Sequence, residues 1–299
     1  VRRARLAGRR VEDRTGPCSP VRRGSPDALP VVDRQPVRLQ GIGHVKVHQH
    51  RRVLGRVKTI SVTREGRRWS VILSCDVPAE PLPPTGVAVG VDVGVAAFLT
   101  TSAGEHDPNP TCLDRSAGRL GGAQRDLSRG RRGSARRRKA AARVGMISRR
   151  VARQRLDHAH KTALGLARDH DLIAVEKLTV TGMTRRAKPR PDPDTPRAFL
   201  PNGQAAKSGL NRSIHDAGWG VFLGVLRAKA ERAGRVVVEV NARHTSQRCA
   251  TCDHVTEDNR PTQAEFACVR CGHTADADEN AAVTLLRAGR ARQADAQAA

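Results

Sequence analysis

The sequence predicts an α/β domain that carries an Arg-rich helical insert and an inserted metal-binding ribbon, with a small antiparallel β unit ahead of it. Three observations predict this. Apolar runs of strand length in "VAVGVDVGVAAFLTT", "DLIAVEKL" and "RVVVEVN" are separated by long stretches of helical character. Four of the seven cysteines stand as two Cys-x-x-Cys pairs between the last run and the last helical stretch. The segment before the first run alternates apolar and polar residues with a period of two.

Residues 1–36 are rich in Arg, Pro and Gly and have no apolar period. "GPCSPVRRGSPDALP" cannot build a core and reads as a disordered basic arm. From Val37 the alternation in "RVKTISVTREGRRWSVILSCDV" reads as a hairpin turning at Glu65 and Gly66, inside a small β unit over 37–86 that ends in a linker at 78–86. Residues 87–99 read as one buried strand interrupted by a carboxylate, Asp92. Residues 115–155 hold 15 Lys or Arg against one acid, Asp126. There Val144, Ile147 and Val151 fall at helical spacing, so helices over 115–169 should have one apolar stripe and cationic remaining faces. A second buried strand at 172–175 ends in Glu176. Five prolines make 184–209 a mobile loop, and "IHDAGWGVFLGVLRAKAERAG" reads as a single helix stopped by Gly234. A third strand closes a domain over 87–247. The ribbon at 248–272 and a last helix and tail at 273–299 complete the chain.

The 54 Lys and Arg against 29 Asp and Glu leave a formal net charge of +25, which suits a polyanion such as DNA or RNA. Fifteen positive charges on one helical segment would repel one another without a partner. Arg131, Arg132, Arg136, Arg137, Arg138, Lys139, Arg149, Arg150, Arg153 and Arg155 are therefore the candidate phosphate contacts. Aromatics are only 2%, so base stacking is a minor binding mode. Tyr is absent, which excludes a tyrosine-nucleophile recombinase. No apolar run reaches membrane length, and residues 1–14 lack the apolar core of a signal peptide. The expected location is the cytoplasm.

Cys249 and Cys252 are separated from Cys268 and Cys271 by fifteen residues, the spacing of a zinc ribbon with four thiolate ligands. A closed four-thiolate site has no open position, so this zinc is structural. His254 and His273 lie beside it as bystanders or phosphate contacts, and Cys18, Cys75 and Cys112 are free thiols. Three acids stand out by position: Asp92 within a strand, Glu176 at a strand end, and Asp278 where the last helix begins, with Asp276 competing for the N-cap role. The order strand-acid, strand-acid, helix-acid is what a nuclease needs to hold two Mg²⁺ about 4 Å apart. Gly94, just after Asp92, would let a phosphate approach the backbone.

In "VGVDVGVAAFLTT", "DLIAVEKLTVTGM", "LNRSIHDAGWGVFLGVLRAKAERAG", "TSQRCATC", "FACVRCGH" and "DADENAAVTLL" the chain resembles the TnpB (OrfB) "transposase" proteins of small bacterial insertion elements, relatives of the nuclease half of type V CRISPR effectors. The resemblance runs over about residues 39–287 in family order. It implies an RNase H-like (RuvC-type) nuclease domain split into three acidic segments, with the zinc ribbon inserted before the third. A β-barrel-like wedge domain would precede it. It assigns Asp92, Glu176 and Asp278 as the catalytic, Mg²⁺-binding acids, the last from the pattern Asp-x-Asn-Ala-Ala. It implies RNA-guided, Mg²⁺-dependent cleavage of a DNA target, with the guide RNA drawn from the element's end. Residues 1–36 do not resemble the family's N-terminal segment. The alternative is a truncated or decayed relative acting only as a nucleic-acid-binding protein or regulator.

Overall fold

The computed structural model describes residues 36–298 apart from 40, 50, 51, 67, 196, 197 and 242. The arm expected at 1–36 therefore lies outside the described residues, except for Pro36. The chain divides into two compact units after Pro78. Among the described residues no helix is long and apolar enough to cross a membrane.

The first unit is antiparallel. β1 (Pro36–Leu39) pairs with β2 (Gly43–Lys46), and β3 (Arg56–Glu65) pairs with β4 (Arg68–Asp76). The expected hairpin turn is present, and Gly66 takes the positive φ of 65° that such a tight turn demands. Among the described residues these pairs form two separate two-stranded sheets. A barrel over 37–86 is not closed there.

The second unit is built on a five-stranded mixed sheet. In chain order its strands are β5 (Ala88–Asp92), β6 (Ala97–Thr101), β7 (His106–Pro108), β8 (Leu172–Glu176) and β11 (Val236–Val240), and their spatial order is β11-β8-β5-β6-β7. β5, β8 and β11 run parallel, while β6 and β7 fold back antiparallel. The run at 87–99 is thus not one strand but a hairpin. Thirteen residues exceed the usual strand length, and the chain turns at 93–96, where Gly94 N–H donates to Phe98 O at 3.3 Å.

Between β7 and β8 lie α1 (Ala117–Arg129) and α2 (Ala135–Asp169). Gly133 (φ 82°) breaks the helix between them, and Ser134 restarts it by accepting the Arg137 N–H. After β8 come a short α3 (Val180–Met183) and a two-residue hairpin of β9 (Arg190–Pro191) and β10 (Phe199–Leu200). Then α4 (Gln204–Ala217) and α5 (Trp219–Ala233) follow. Helix therefore begins inside the segment read as a loop, and the single helix expected from Ile214 is two helices. Gly218 at φ 73° divides them in a left-handed conformation that ends α4.

One face of the sheet packs Val89, Val91, Ile173 and Val175 against α2 and α5 through Ala163, Leu166, Trp219, Phe222 and Leu226. The other face is covered by α6 (Ala277–Ala298), the last element. Gly90 and Gly289 make this possible. A Cβ on Gly90 would overlap Ala282 O, and one on Gly289 would overlap Ala174 Cβ. The segment read as a linker is pinned to this unit. Asp171 accepts the N–H groups of Thr85 and Gly86, and buried Arg235 pairs with Asp171 and donates to Pro83 O at 2.8 Å.

Candidate carboxylate centre and thiol ribbon

Strand alternation decides which face each acid takes. In β5, Val89 and Val91 enter the core, so Gly90 and Asp92 face α6. In β8, Ile173 and Val175 enter the core, so Ala174 and Glu176 face α6. Val91 lies opposite Val175 in the parallel register, which makes Asp92 and Glu176 the next neighbours at the C-terminal ends of adjacent strands. Neighbouring strands lie about 4.8 Å apart.

Asp278 arrives from the first turn of α6 above these strand ends. Its Oδ2 lies 3.6 Å from where a Cβ on Gly94 would stand, against the β5–β6 turn. The competition for the N-cap resolves in favour of Asp276, whose Oδ1 accepts the N–H groups of Asp278 (2.9 Å) and Glu279 (3.1 Å). Asp278 is left free of that task.

The electrostatics follow from this crowding. Burial raises the Asp92 carboxyl to about 7, and the charges of Glu176 and Asp278 push it the same way. The Arg260 charge and the Val93 N–H pull against them. Burial raises Glu176. Asp278 is raised by burial and by Asp276, against the pull of Arg260 and His106. Three carboxylates that each gain by shedding charge are the donor type a hard cation takes, while among the described residues the group whose ligand atoms already stand close enough to share one ion is the four cysteines. Arg260 stands within ion-pair range of the trio, its Nη2 3.7 Å from Asp278 Oδ1. It stands in a polar loop with no periodicity, so nothing in the sequence singled it out.

The ribbon is two similar knuckles. Cys249 N–H donates to His254 O and Cys268 N–H to His273 O. Four residues after each first cysteine the backbone turns left-handed, at Asp253 (φ 60°) and Gly272 (φ 72°). β12 (Glu265–Ala267) and β13 (Thr274–Asp276) pair to carry the second knuckle straight into α6. The four sulfurs lie within 4.8 Å of one another, with Cys249 to Cys271 at 3.7 Å and Cys252 to Cys268 at 3.6 Å. A tetrahedral ion with 2.3 Å bonds separates its sulfurs by about 3.8 Å, so the thiols fit zinc. His254 and His273 lie outside the four-thiol group, and their carbonyls serve the knuckles.

The ten candidate phosphate contacts divide. Arg131, Arg132, Arg136, Arg138, Lys139, Arg150 and Arg153 are exposed, and Arg149 is half-buried. Two others serve the protein itself. Arg137 donates to Leu127 O (2.6 Å) and Gly130 O (3.1 Å), closing the end of α1. Arg155 binds Asp216, which is 5% exposed, through Nε and Nη2 at 2.8 and 2.6 Å. Both are structural, because a helix end and a buried carboxylate each needed a donor.

A mixed α/β sheet with two acids at its strand ends, and a four-thiol ribbon that leads into a third acid on the last helix, defines the class of α/β protein to which this chain belongs. Two family matches follow one another along the chain: OrfB_IS605, "Probable transposase", over residues 61–187, which begins in the first unit, and "Cas12f1-like, TNB domain" over 219–285. The chain belongs to the TnpB (OrfB) family. It is 32% identical over 255 residues to "Putative RNA-guided DNA endonuclease InsQ" of Escherichia coli (strain K12), covering 85% of this chain and 62% of that protein. It is 35% identical over 238 residues to a "Putative RNA-guided DNA endonuclease" of Streptomyces pristinaespiralis, covering 79% of this chain and 54% of that protein. The chain thus spans about half to three-fifths of the length of these relatives. A cryo-EM structure of a Cas12f1–sgRNA–target DNA complex is similar with a TM-score of 0.46 at 18% identity, over 76% of this chain and 55% of that one.

Proposed function

We propose that this chain is an RNA-guided, Mg²⁺-dependent DNA endonuclease whose second unit is an RNase H-like (RuvC-type) nuclease domain with a zinc ribbon inserted before its third acid. The observation that carries this reading is that Asp92 and Glu176 stand at the ends of neighbouring strands on the face that meets α6, whose first turn bears Asp278. The names of the two curated relatives support the substrate and the guide.

The three carboxylates hold the cation. When bound, Mg²⁺ supplies the charge that polarises the scissile phosphate and acidifies the attacking water. The water oxygen forms the new bond to phosphorus and the bond to the 3′ oxygen breaks, leaving 5′-phosphate and 3′-hydroxyl ends. Arg260 offers its guanidinium to the same phosphate from the ribbon side. Gly94 leaves the β5–β6 turn without a side chain where the strand must approach. The exposed arginines of α2 track the backbone of the guide or the target, and the four cysteines hold structural Zn²⁺.

The test is to purify the protein from cells carrying its own locus, sequence the RNA that accompanies it, and challenge the complex with DNA matching the variable end. One RNA with a constant part and a variable end, and cleavage on adding Mg²⁺, is the expected result. Mixed fragments with no cleavage would overturn the proposal in favour of a nucleic-acid-binding relative.

A further inference from the structure

Asn280 sits in the first turns of α6, two residues after Asp278, and is 1% exposed. Asn is a poor helix former in a helix interior, because its amide competes for backbone hydrogen bonds. The start of α6 does not need it, since Asp276 already caps the helix. Its amide is committed elsewhere. Oδ1 accepts the Ala250 N–H at 2.9 Å, and Nδ2 donates to Arg248 O at 2.8 Å. Those two residues flank Cys249, a sulfur ligand that is 0% exposed.

The same stripe of α6 carries a second attachment. Arg287, seven residues on, donates to Ala250 O and to Asp253 Oδ2 at 3.1 Å. Two side chains one heptad apart therefore lay the first knuckle along the helix that bears Asp278. The ribbon itself is tied internally by Asn259, which is 0% exposed. Its Nδ2 donates to Gln247 O (2.9 Å) and His254 O (3.0 Å), and its Oδ1 accepts Val269 N–H (3.1 Å). The backbone on both sides of Cys249 is thus hydrogen-bonded to the helix turn that follows Asp278, and the two knuckles are bonded to each other through Asn259.

We propose that Asn280 is a positioning residue of the carboxylate centre, which transmits the order of the thiol knuckle to Asp278 and so sets the affinity of the cation held there. The proposal rests on reading Asp92, Glu176 and Asp278 as cation ligands. A buried amide that only filled space would affect stability. Removing one that orients a ligand weakens metal binding, as loss of outer-shell partners generally does by about 10- to 100-fold.

The experiment is Mn²⁺ binding to the zinc-loaded protein, followed by electron paramagnetic resonance, in wild type, Asn280→Ala, Arg287→Ala and Asp92→Ala. Mn²⁺ stands in for Mg²⁺. Wild type should bind Mn²⁺ and Asp92→Ala should not. Asn280→Ala should keep its four-thiol zinc and its RNA affinity, bind Mn²⁺ about 10- to 100-fold more weakly, and regain cleavage at high Mn²⁺. Arg287→Ala, at a half-exposed position that tolerates truncation, should shift Mn²⁺ affinity the same way by about threefold. It keeps the test open if Asn280→Ala fails to fold.

Wild-type Mn²⁺ affinity in both Asn280→Ala and Arg287→Ala, with Asp92→Ala deficient, would overturn the positioning role and leave the nuclease reading standing. Zinc loss in Asn280→Ala would make it a structural residue of the ribbon and also overturn the role. No Mn²⁺ binding by the wild type would remove the ligand assignment on which both readings rest.

Discussion

The sheet and the ribbon place the parts of one centre by different means. Asp92 and Glu176 stand on β5 and β8, whose inward residues belong to a core shared with α2, α4 and α5. Their direction follows from alternation and their height from the parallel register. Asp278 and Arg260 belong to a segment whose own core is Cys249, Phe266, Cys268 and Ala277, with Cys252 against it. A core this small offsets little of the entropy of ordering some thirty residues, and the zinc proposed on the thiols would supply the rest. On the proposed reading, half of the carboxylate centre is built by the fold and the other half is conditional on the thiol site.

The largest expected effect breaks the sheet half alone. Asp92→Ala should lower cleavage at least about 10³-fold, because a ligand shared by the reacting phosphate is gone. RNA binding and zinc content should stay at wild-type levels. Cleavage that persisted in this variant would remove Asp92 from the chemistry.

Next in size is the break in the ribbon half. Cys268→Ala should release zinc and lower stability by at least about 3 kcal/mol, with loss of amide protection over residues 245–276 in hydrogen exchange. Amides of β5 and β8 should keep their protection. Equal loss in the strands would mean that sheet and ribbon are one cooperative unit and that the contrast between them fails. Arg260→Ala should cost less than either, on the order of 10²-fold in cleavage, since one cationic contact to the phosphate is lost. Unchanged cleavage would place Arg260 outside the reaction.

A pH experiment sharpens the sheet half further. In the cation-free protein the native Asp92 carboxyl titrates at about 7, against an ordinary value of 3.8. Between about pH 4 and 7 the native state therefore binds more protons than the unfolded chain, and stability falls as the pH rises. Asp92 contributes stability below about pH 4 that is lost as the pH passes 7. Asp92→Asn removes this loss and should raise the cation-free stability at pH 8 by on the order of 2 kcal/mol, seen as a higher melting temperature, with little change at pH 4. Adding Mg²⁺ should raise the wild-type midpoint more than the variant's. Equal midpoints for both proteins at pH 8 would show that neither burial nor the neighbouring carboxylates disfavour the charge on Asp92.

What was legible in the sequence follows the same division. The apolar runs around Asp92 and before Glu176 declared strands because burial on both faces leaves a continuous signal, and the Cys-x-x-Cys pairs declared the ribbon because thiolate chemistry fixes the spacing. The β5–β6 turn was hidden because Val93, Val95 and Ala97 continue the apolar run through it. The break at Gly218 was hidden because both flanking helices share one buried face, through Ile214, Ala217, Trp219 and Phe222. Arg260, Asn259 and Asn280 gave almost no signal, since polar residues in a ribbon announce nothing until the backbone groups they satisfy are brought beside them. Only Asn280 left a trace, as a helix-averse residue inside an otherwise strong helical run.

The smallest effect is expected on α2, where exposure separates two kinds of arginine that composition made look alike. Arg136 and Arg138 are exposed, and a phosphate contact made by either is one among many. Removing one should weaken RNA or DNA binding by less than about 1 kcal/mol and flatten the dependence of log affinity on log salt by about one unit, without moving the melting temperature. Arg155 should behave in the opposite way. Its Nε and Nη2 both donate to Oδ1 of Asp216, so Arg155→Ala leaves a buried carboxylate that, among the described residues, keeps the Leu113 N–H alone. That variant should melt earlier and bind with an unchanged salt slope. A flattened slope in Arg155→Ala would return this residue to the nucleic-acid face. An unchanged slope on removing both Arg136 and Arg138 would move the polyanion's path off α2 and leave the +25 charge to be used elsewhere on the molecule.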